Sequence, residues 1–317
     1  MLISLSEAAD FLSKCGDALI ITHQSPDGDC IGAGFALKDM LEAMGKRGRV
    51  VCSDEFPKKF DFLTNVGCGE DFEPEAVIAV DIADAQLMGS LKEQYGERVQ
   101  LCIDHHVSNT GYAERTLLNA EASAACEIIY ELAREMGTEL NEHMAACIYT
   151  GIATDTGCFK YSCTTVRSHI IAAEIMESFS INFALINRNM FDVKSIGRIK
   201  VESAVLELME SYFGGKFTMI CITSDIMEKM GVESSELEGC ASLPLQVEGV
   251  EVGVFLKESE PEAYKISMRS ANDVNVSEIC RTLGGGGHAK AAGCMLRGSL
   301  SDVKRKLVEA VGKALGE

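Results

Sequence analysis

Short, unbroken apolar runs alternate with segments of helical periodicity over the first half of the chain. The run DALIITH, Asp17 to His23, is bounded by Gly16 and the Pro26 turn, and its continuous apolar character predicts a buried strand. RVVCSD, AVIAVD and VQLCID repeat the pattern and predict three more. After the first strand, Leu37, Met40, Leu41 and Met44 recur at helical spacing, with Gly45 as a stop. Ser4 and Glu7 are placed as a capping box for an opening helix. From Ala120 to about Tyr161 the pattern is again helical. Strands alternating with helices predict a parallel sheet with helices on both faces.

The texture then changes. Phe191 to Tyr212 reads as helical and charged, a connector. Beyond it KFTMICIT, VEVGVFLKE, YKISMRS and CMLRG are strand-like, VSEICRTL is a short helix, and Ser301 to Leu315 is an amphipathic helix. These elements predict a smaller α+β domain. The expected division is 1–187 for a catalytic metal-binding domain, 188–212 for the helical connector and 213–317 for a substrate-binding domain. The acidic stretch Glu233 to Glu238 reads as a solvated loop, and His143 and His169 as structural or exposed helix positions.

Composition narrows the class. At 317 residues, 47% hydrophobic and 24% charged, the chain is long enough for two globular domains. No apolar run approaches the ~20 residues needed to span a bilayer, and the N-terminus lacks a basic flank and cleavage site. The 13 cysteines include no C-x-x-C pair, which predicts free thiols in a reducing cytoplasm and no cysteine zinc site. A net charge of −19 removes long-range attraction to a nucleic-acid backbone. A polyanionic substrate must then be small and held where a local cluster reverses the sign. Neither long nucleic acid nor membrane is an expected partner, and a homodimer is compatible with the sequence.

Three predicted strands run into metal-type ligands: His23, Asp27 and Asp29 after the first, Asp81 after AVIAVD, and Asp104, His105 and His106 after VQLCID. Asp155 follows an apolar helix, where an acidic residue opposes the helix dipole. Each has a plainer reading: Pro26 to Asp29 as a turn, Asp84 as a helix cap, the paired histidines as chance. Together they would meet at the carboxyl edge of one sheet, where ligands bind in open α/β folds. Burying several carboxylates there without cations is costly. Hard oxygen plus imidazole suits Mn²⁺, with Mg²⁺, Co²⁺ or Fe²⁺ also compatible, and six ligands suit two ions.

A second signal is LGGGGHAKAAG, Leu283 to Gly293. Its four successive glycines, expected to have no core-packing role, would let backbone N–H groups approach an anion, with His288 beside them. Arg269 and Ser270 end the strand YKISMRS, and Arg269 suits bidentate phosphate binding. The plainer reading is a glycine hinge with a solvated arginine.

In this combination and order the chain resembles the DHH phosphoesterase superfamily, in its DHH–DHHA1 subfamily. Asp104-His105-His106 is similar to the signature triplet, His23 with Pro26 to Asp29 to the first motif, Asp81 to the second, Asp155 to the fourth, and Gly285, Gly286, Gly287 and His288 to the GGGH motif of the DHHA1 domain. Length and domain order resemble most the NrnA-type oligoribonuclease and pAp (3′-phosphoadenosine 5′-phosphate) phosphatase group. The resemblance implies hydrolysis of very short RNAs to nucleoside 5′-monophosphates or of pAp to AMP, by in-line attack of a hydroxide bridging two metals. It implies one ion on His23, Asp27 and Asp81 and another on Asp29, Asp81, His105 and Asp155. His106 would contact the phosphoryl group, and Asp104 would orient a histidine ring. Arg269, Ser270, Gly285 to Gly287 and His288 would bind substrate. Cys30 stands where the family often has alanine, which is expected to alter packing rather than coordination. The alternatives are a pApA phosphodiesterase, an inorganic pyrophosphatase and a non-catalytic nucleotide-binding regulator.

Overall fold

The computed structural model describes residues 1–232, 237 and 239–317. The acidic stretch from Glu233 to Glu238 lies outside the described residues except for Leu237. The chain forms two compact units, Met1–Val193 and Lys194–Glu317.

In the first unit the strands are β1 (Ala18–Ile21), β2 (Gly48–Val51), β3 (Ala76–Val80), β4 (Leu101–Asp104) and β5 (Arg115–Leu118). They form one wholly parallel sheet in the order β2-β1-β3-β4-β5. The helices are α1 (Leu5–Lys14), α2 (Gly28–Ala43), α3 (Asp61–Thr64), α4 (Lys92–Tyr95), α5 (Ala125–Glu135), α6 (Glu142–Asp155), α7 (Val166–Ser178) and α8 (Phe183–Asn187). The predicted capping box of Ser4 and Glu7 opens α1. Ile20, Ile78 and Ile103 enter the core beneath α1, α2, α5 and α6. Leu19, Ile21, Val77, Ala79 and Cys102 pack on the other face with Met88 and Val99. Both faces are covered, which is why these strands read as continuous apolar runs.

The helical stretch expected from Ala120 to Tyr161 is two helices, broken at Gly137 with φ +64° and restarted by the Asn141 cap. In the second unit α9 (Ile196–Leu206) is followed by β6 (Met209–Tyr212), then β7 (Phe217–Ile222), α10 (Ser224–Met230), β8 (Val252–Glu260), β9 (Ala263–Ser270), α11 (Val276–Thr282), β10 (Gly286–His288), β11 (Ala291–Arg297) and α12 (Leu300–Leu315). The mixed sheet runs β10-β11-β9-β8-β7-β6. The 188–212 segment is therefore not helical throughout. Its last residues join the sheet because Met209 to Tyr212 pair antiparallel with Phe217 to Ile220, a tertiary contact that overrides local pattern. Strands β5, β6 and β10, with sequences RTLL, MESY and GGH, lack a continuous apolar run and so do not announce themselves in sequence. Among the described residues, no helix is long and apolar enough to cross a membrane.

Candidate metal centre

The strand order reverses direction between β1 and β3, and a parallel sheet opens a crevice at the carboxyl end of such a switch. The chain leaves β1 through Thr22 into His23. Asp27 then caps α2, its Oδ1 accepting from the N–H groups of Asp29 and Cys30 at 3.1 Å each. The Pro26 to Asp29 segment is thus both a turn and a cap, and it still turns His23, Asp27 and Asp29 toward the crevice. Asp81 leaves β3 with φ +58°, a left-handed backbone held by its N–H donating to the Ile103 carbonyl at 2.9 Å. Such a conformation costs a non-glycine residue about 1–3 kcal/mol and persists only where the surroundings enforce it. Asp155 is the last residue of α6.

Helices α2 and α6 cross closely. A Cβ on Gly151 would lie 2.7 Å from Asp29 Oδ1 and 2.2 Å from Cys126 Sγ, so only glycine admits the approach that sets Asp29 beside Asp155. Asp29 is fully buried, and its carboxylate accepts from the N–H groups of Ala125 and Cys126 at the start of α5.

The side chains form three overlapping groups: His23, Asp27, Cys30 and Asp81; Asp29, His105 and Asp155; and Asp81 with His105 and His106. His23 Nε2 lies 3.6 Å from Asp27 Oδ1 and 3.6 Å from Asp81 Oδ2. His105 Nε2 lies 3.4 Å from Asp81 Oδ1, 3.4 Å from Asp155 Oδ2 and 3.8 Å from Asp29 Oδ2. Asp81 thus turns one oxygen to each group. These separations exceed ordinary hydrogen bonds and match donors that share one ion. Asp81 Oδ1 and His105 Nε2 are buried with no hydrogen-bond partner, the mark of donors suited to a cation. The ring tautomers agree. His23 Nδ1 sits 2.8 Å from the Gln24 carbonyl and His105 Nδ1 3.2 Å from that of Ala122, so Nδ1 donates and Nε2 is the atom left facing the cluster, where a cation would take it.

Burial pushes the Asp29 and Asp155 carboxyls up, and the neighbouring Asp81 and Asp29 charges push them further. Burial also opposes a charged His105, but its contact with Asp81 outweighs that and raises it. The cluster without a cation therefore retains protons that a cation would displace. His106 stands half-exposed at the rim. Its Nδ1 donates to Asp104 Oδ1 at 2.8 Å, which raises the imidazole, and Asn109 Nδ2 donates to Asp104 Oδ2 at 2.5 Å. Asn109, Gly151 and the two carbonyls carry no motif signal, so sequence reading missed them. Asp84 is a simple cap, accepting from the Gln86 N–H. His143 pairs with Asp39 away from the cluster, and His169 stacks on Phe159.

In the second unit, β9 alternates from Tyr264 to Ser270. Lys265, Ser267 and Arg269 point to the open face, whereas Ser270 is buried with its hydroxyl on the Glu251 carboxylate. Period-two reading would have grouped Ser267, not Ser270, with Arg269. His288 and Arg269 flank Ala291 in one row across β10, β11 and β9. A groove of about 590 Å³ runs between Lys265, Ser267, Arg269 and the Gly284 to Gly287 backbone. Two of the four glycines, Gly285 and Gly287, do have a packing role, contrary to expectation, whereas a Cβ on Gly284 or Gly286 would meet nothing. A Cβ on Gly285 would meet the Gly293 carbonyl at 2.1 Å, and Gly287 has φ +140° close under Ala291.

A doubly wound sheet with carboxylates and imidazoles at its switch edge, followed by a separate mixed-sheet unit, belongs to the metal-dependent phosphoesterases. The chain is a member of the DHH family: the DHH family N-terminal domain matches residues 17–152 and the DHHA1 domain matches residues 219–317. It is 31% identical over 309 residues, 95% of its own length and 90% of the other, to the bifunctional oligoribonuclease and PAP phosphatase NrnA of Thermus thermophilus. The Bacillus subtilis protein of the same name is 26% identical, with 88% and 90% of the two chains covered. The fold is similar to that of an exopolyphosphatase-related protein from Bacteroides fragilis, with a TM-score of 0.86, 24% identity and 98% and 95% of the chains covered.

Proposed function

We propose that this enzyme hydrolyses short oligoribonucleotides to nucleoside 5′-monophosphates, pAp to AMP, or both, using two divalent cations, Mn²⁺ first among them. The observation that carries the reading is Asp81, whose two carboxylate oxygens face two separate ligand groups. In this reading His23, Asp27 and Asp81 hold one cation, and Asp29, Asp81, His105 and Asp155 hold the other. When bound, such a pair lowers the pKa of water and neutralises charge on the phosphoryl oxygens. The protein's own groups do the rest. His106, fixed by Asp104, offers its Nε2 proton to the departing ester oxygen as water attacks phosphorus in line and the P–O bond breaks; the attacking water gives up a proton to solvent, and His106 regains one from solvent after the product leaves. Arg269, His288 and the Gly285 to Gly287 backbone hold the substrate's other phosphate or terminal nucleotide. All thirteen cysteines are free, which fits a cytoplasmic enzyme.

The charge of −19 supports short substrates, since long strands need an extended basic groove. A panel with Mn²⁺ tests this: pAp, pApA, RNAs of graded length and pyrophosphate. Rates falling as length grows support the proposal. Equal rates on a dinucleotide and a long strand, or turnover confined to pyrophosphate, contradict it.

A further inference from the structure

Cys30 follows Asp29 in the first turn of α2, and its side chain has no exposure. A cysteine there is expected only to fill space. Instead, its Sγ lies in the group formed with His23, Asp27 and Asp81, whose ligand atoms are all within 4.8 Å of one another. Among the described residues it is the sole thiol in any such group. Its weak contact with the Asp27 carbonyl, at 3.7 Å, does not hold it elsewhere. Two donors on one tetrahedral ion, sulfur at ~2.3 Å and nitrogen or oxygen at ~2.1 Å, stand roughly 3.6 Å apart. The group has the size for a single cation. A second, independent sign of a ligand is His23, whose Nδ1 donates to the Gln24 carbonyl at 2.8 Å and whose Nε2 is turned into the group, 3.6 Å from both Asp27 Oδ1 and Asp81 Oδ2.

We propose that Cys30 Sγ is the fourth protein ligand of the cation held by His23, Asp27 and Asp81. This rests on the two-cation reading above. Metal entry breaks the S–H bond and forms a metal–sulfur bond, the proton leaving to solvent, with no change of oxidation state. The two positions then differ in kind. One has nitrogen, two carboxylates and a thiolate, and takes a thiophilic ion such as Zn²⁺, Co²⁺ or Fe²⁺. The other, with one nitrogen and carboxylates alone, suits Mn²⁺ or Mg²⁺.

The test is anaerobic titration of the metal-stripped full chain with Co²⁺, followed by absorption, with bound cobalt counted by mass spectrometry. A thiolate-to-cobalt charge-transfer band in the near ultraviolet is expected in the wild-type protein and absent from Cys30→Ser and Cys30→Ala. Both variants should still give cobalt ligand-field bands from the second position. Zn²⁺ affinity should fall at least ~10-fold in both variants, and Mn²⁺ affinity less. Circular dichroism checks that they fold. A wild-type protein filled with two cobalt ions and showing no such band overturns the assignment of Cys30 alone, as does a band that survives in Cys30→Ser. Failure to bind cobalt at all overturns the two-cation reading along with it.

Discussion

The carboxylate of Asp29 accepts hydrogen bonds from Ala125 at 2.6 Å and Cys126 at 2.9 Å, capping a helix 96 residues further along the chain. Ala124, at the cap position of α5, has no side chain that could do so. One residue thus serves the cluster and the helix beside it.

This double role separates two substitutions. Asp29→Asn and Asp29→Ala both remove the charge, but the amide oxygen keeps one acceptor for α5. In metal-free buffer, Asp29→Ala should be about 1 kcal/mol less stable than Asp29→Asn, the usual worth of such a cap. Urea denaturation of the two variants measures the difference. Equal stabilities would mean that the contacts with Ala125 and Cys126 contribute nothing.

Asp104 fixes the His106 ring, so removing either should damage the same step. Asp104→Asn and His106→Gln should each lower kcat roughly 10²-fold, the typical worth of positioned acid–base catalysis. The double variant should be little worse than either single one, because coupled groups are not additive. Bound metal should stay at the wild-type amount. Multiplying losses would mean that Asp104 and His106 act independently, and metal lost with His106 would place that residue among the ligands instead.

The strands, the long helices and the residues of the cluster could be read from the chain because buried parallel strands leave continuous apolar runs and charged residues at their ends stand out against them. His23, Asp81 and His105 meet as their strand positions require. What could not be read depends on contacts between distant segments. Gly151 is ordinary until α2 crosses α6, and Cys30 is one apolar-looking residue in a helix until its thiol is set beside His23. The glycine run reads in sequence as an anion-binding segment, whereas Gly285 and Gly287 also seat β10 against β11, a pairing visible only in register.

Away from the cluster, His143 donates from Nδ1 to Asp39 at 2.7 Å and from Nε2 to the Leu63 carbonyl at 2.8 Å, so it carries both protons. The Asp39 carboxylate is the main cause of its rise to about 11 from an ordinary 6.5. A folded value above the unfolded one stabilises fully below pH 6.5, and the gain is lost as pH rises through about 11. His143→Gln should therefore be destabilised by roughly 1.5–3 kcal/mol at pH 6, the worth of hydrogen bonds to charged groups, and progressively less at pH 8 and 10. Denaturation at the three pH values checks this. A gap that does not shrink would show that shape, not charge, makes the contribution.

Asp81 offers the sharpest division between the two ligand groups. If its oxygens serve both, His23→Ala should remove one cation and Asp155→Ala the other, while Asp81→Ala should remove both together with activity. Metal content after gel filtration reads this directly. Loss of a single ion from Asp81→Ala would confine that residue to one position. The backbone supplies an independent check, because φ is +58° at Asp81. Glycine adopts that conformation freely, whereas alanine does not. With metals removed, Asp81→Gly should be more stable than Asp81→Ala by about 1 kcal/mol, reversing the usual order of those residues within a strand. If alanine proves the more stable, the left-handed turn relaxes without the carboxylate, and the strain at Asp81 is maintained by the side chain rather than by the Ile103 hydrogen bond.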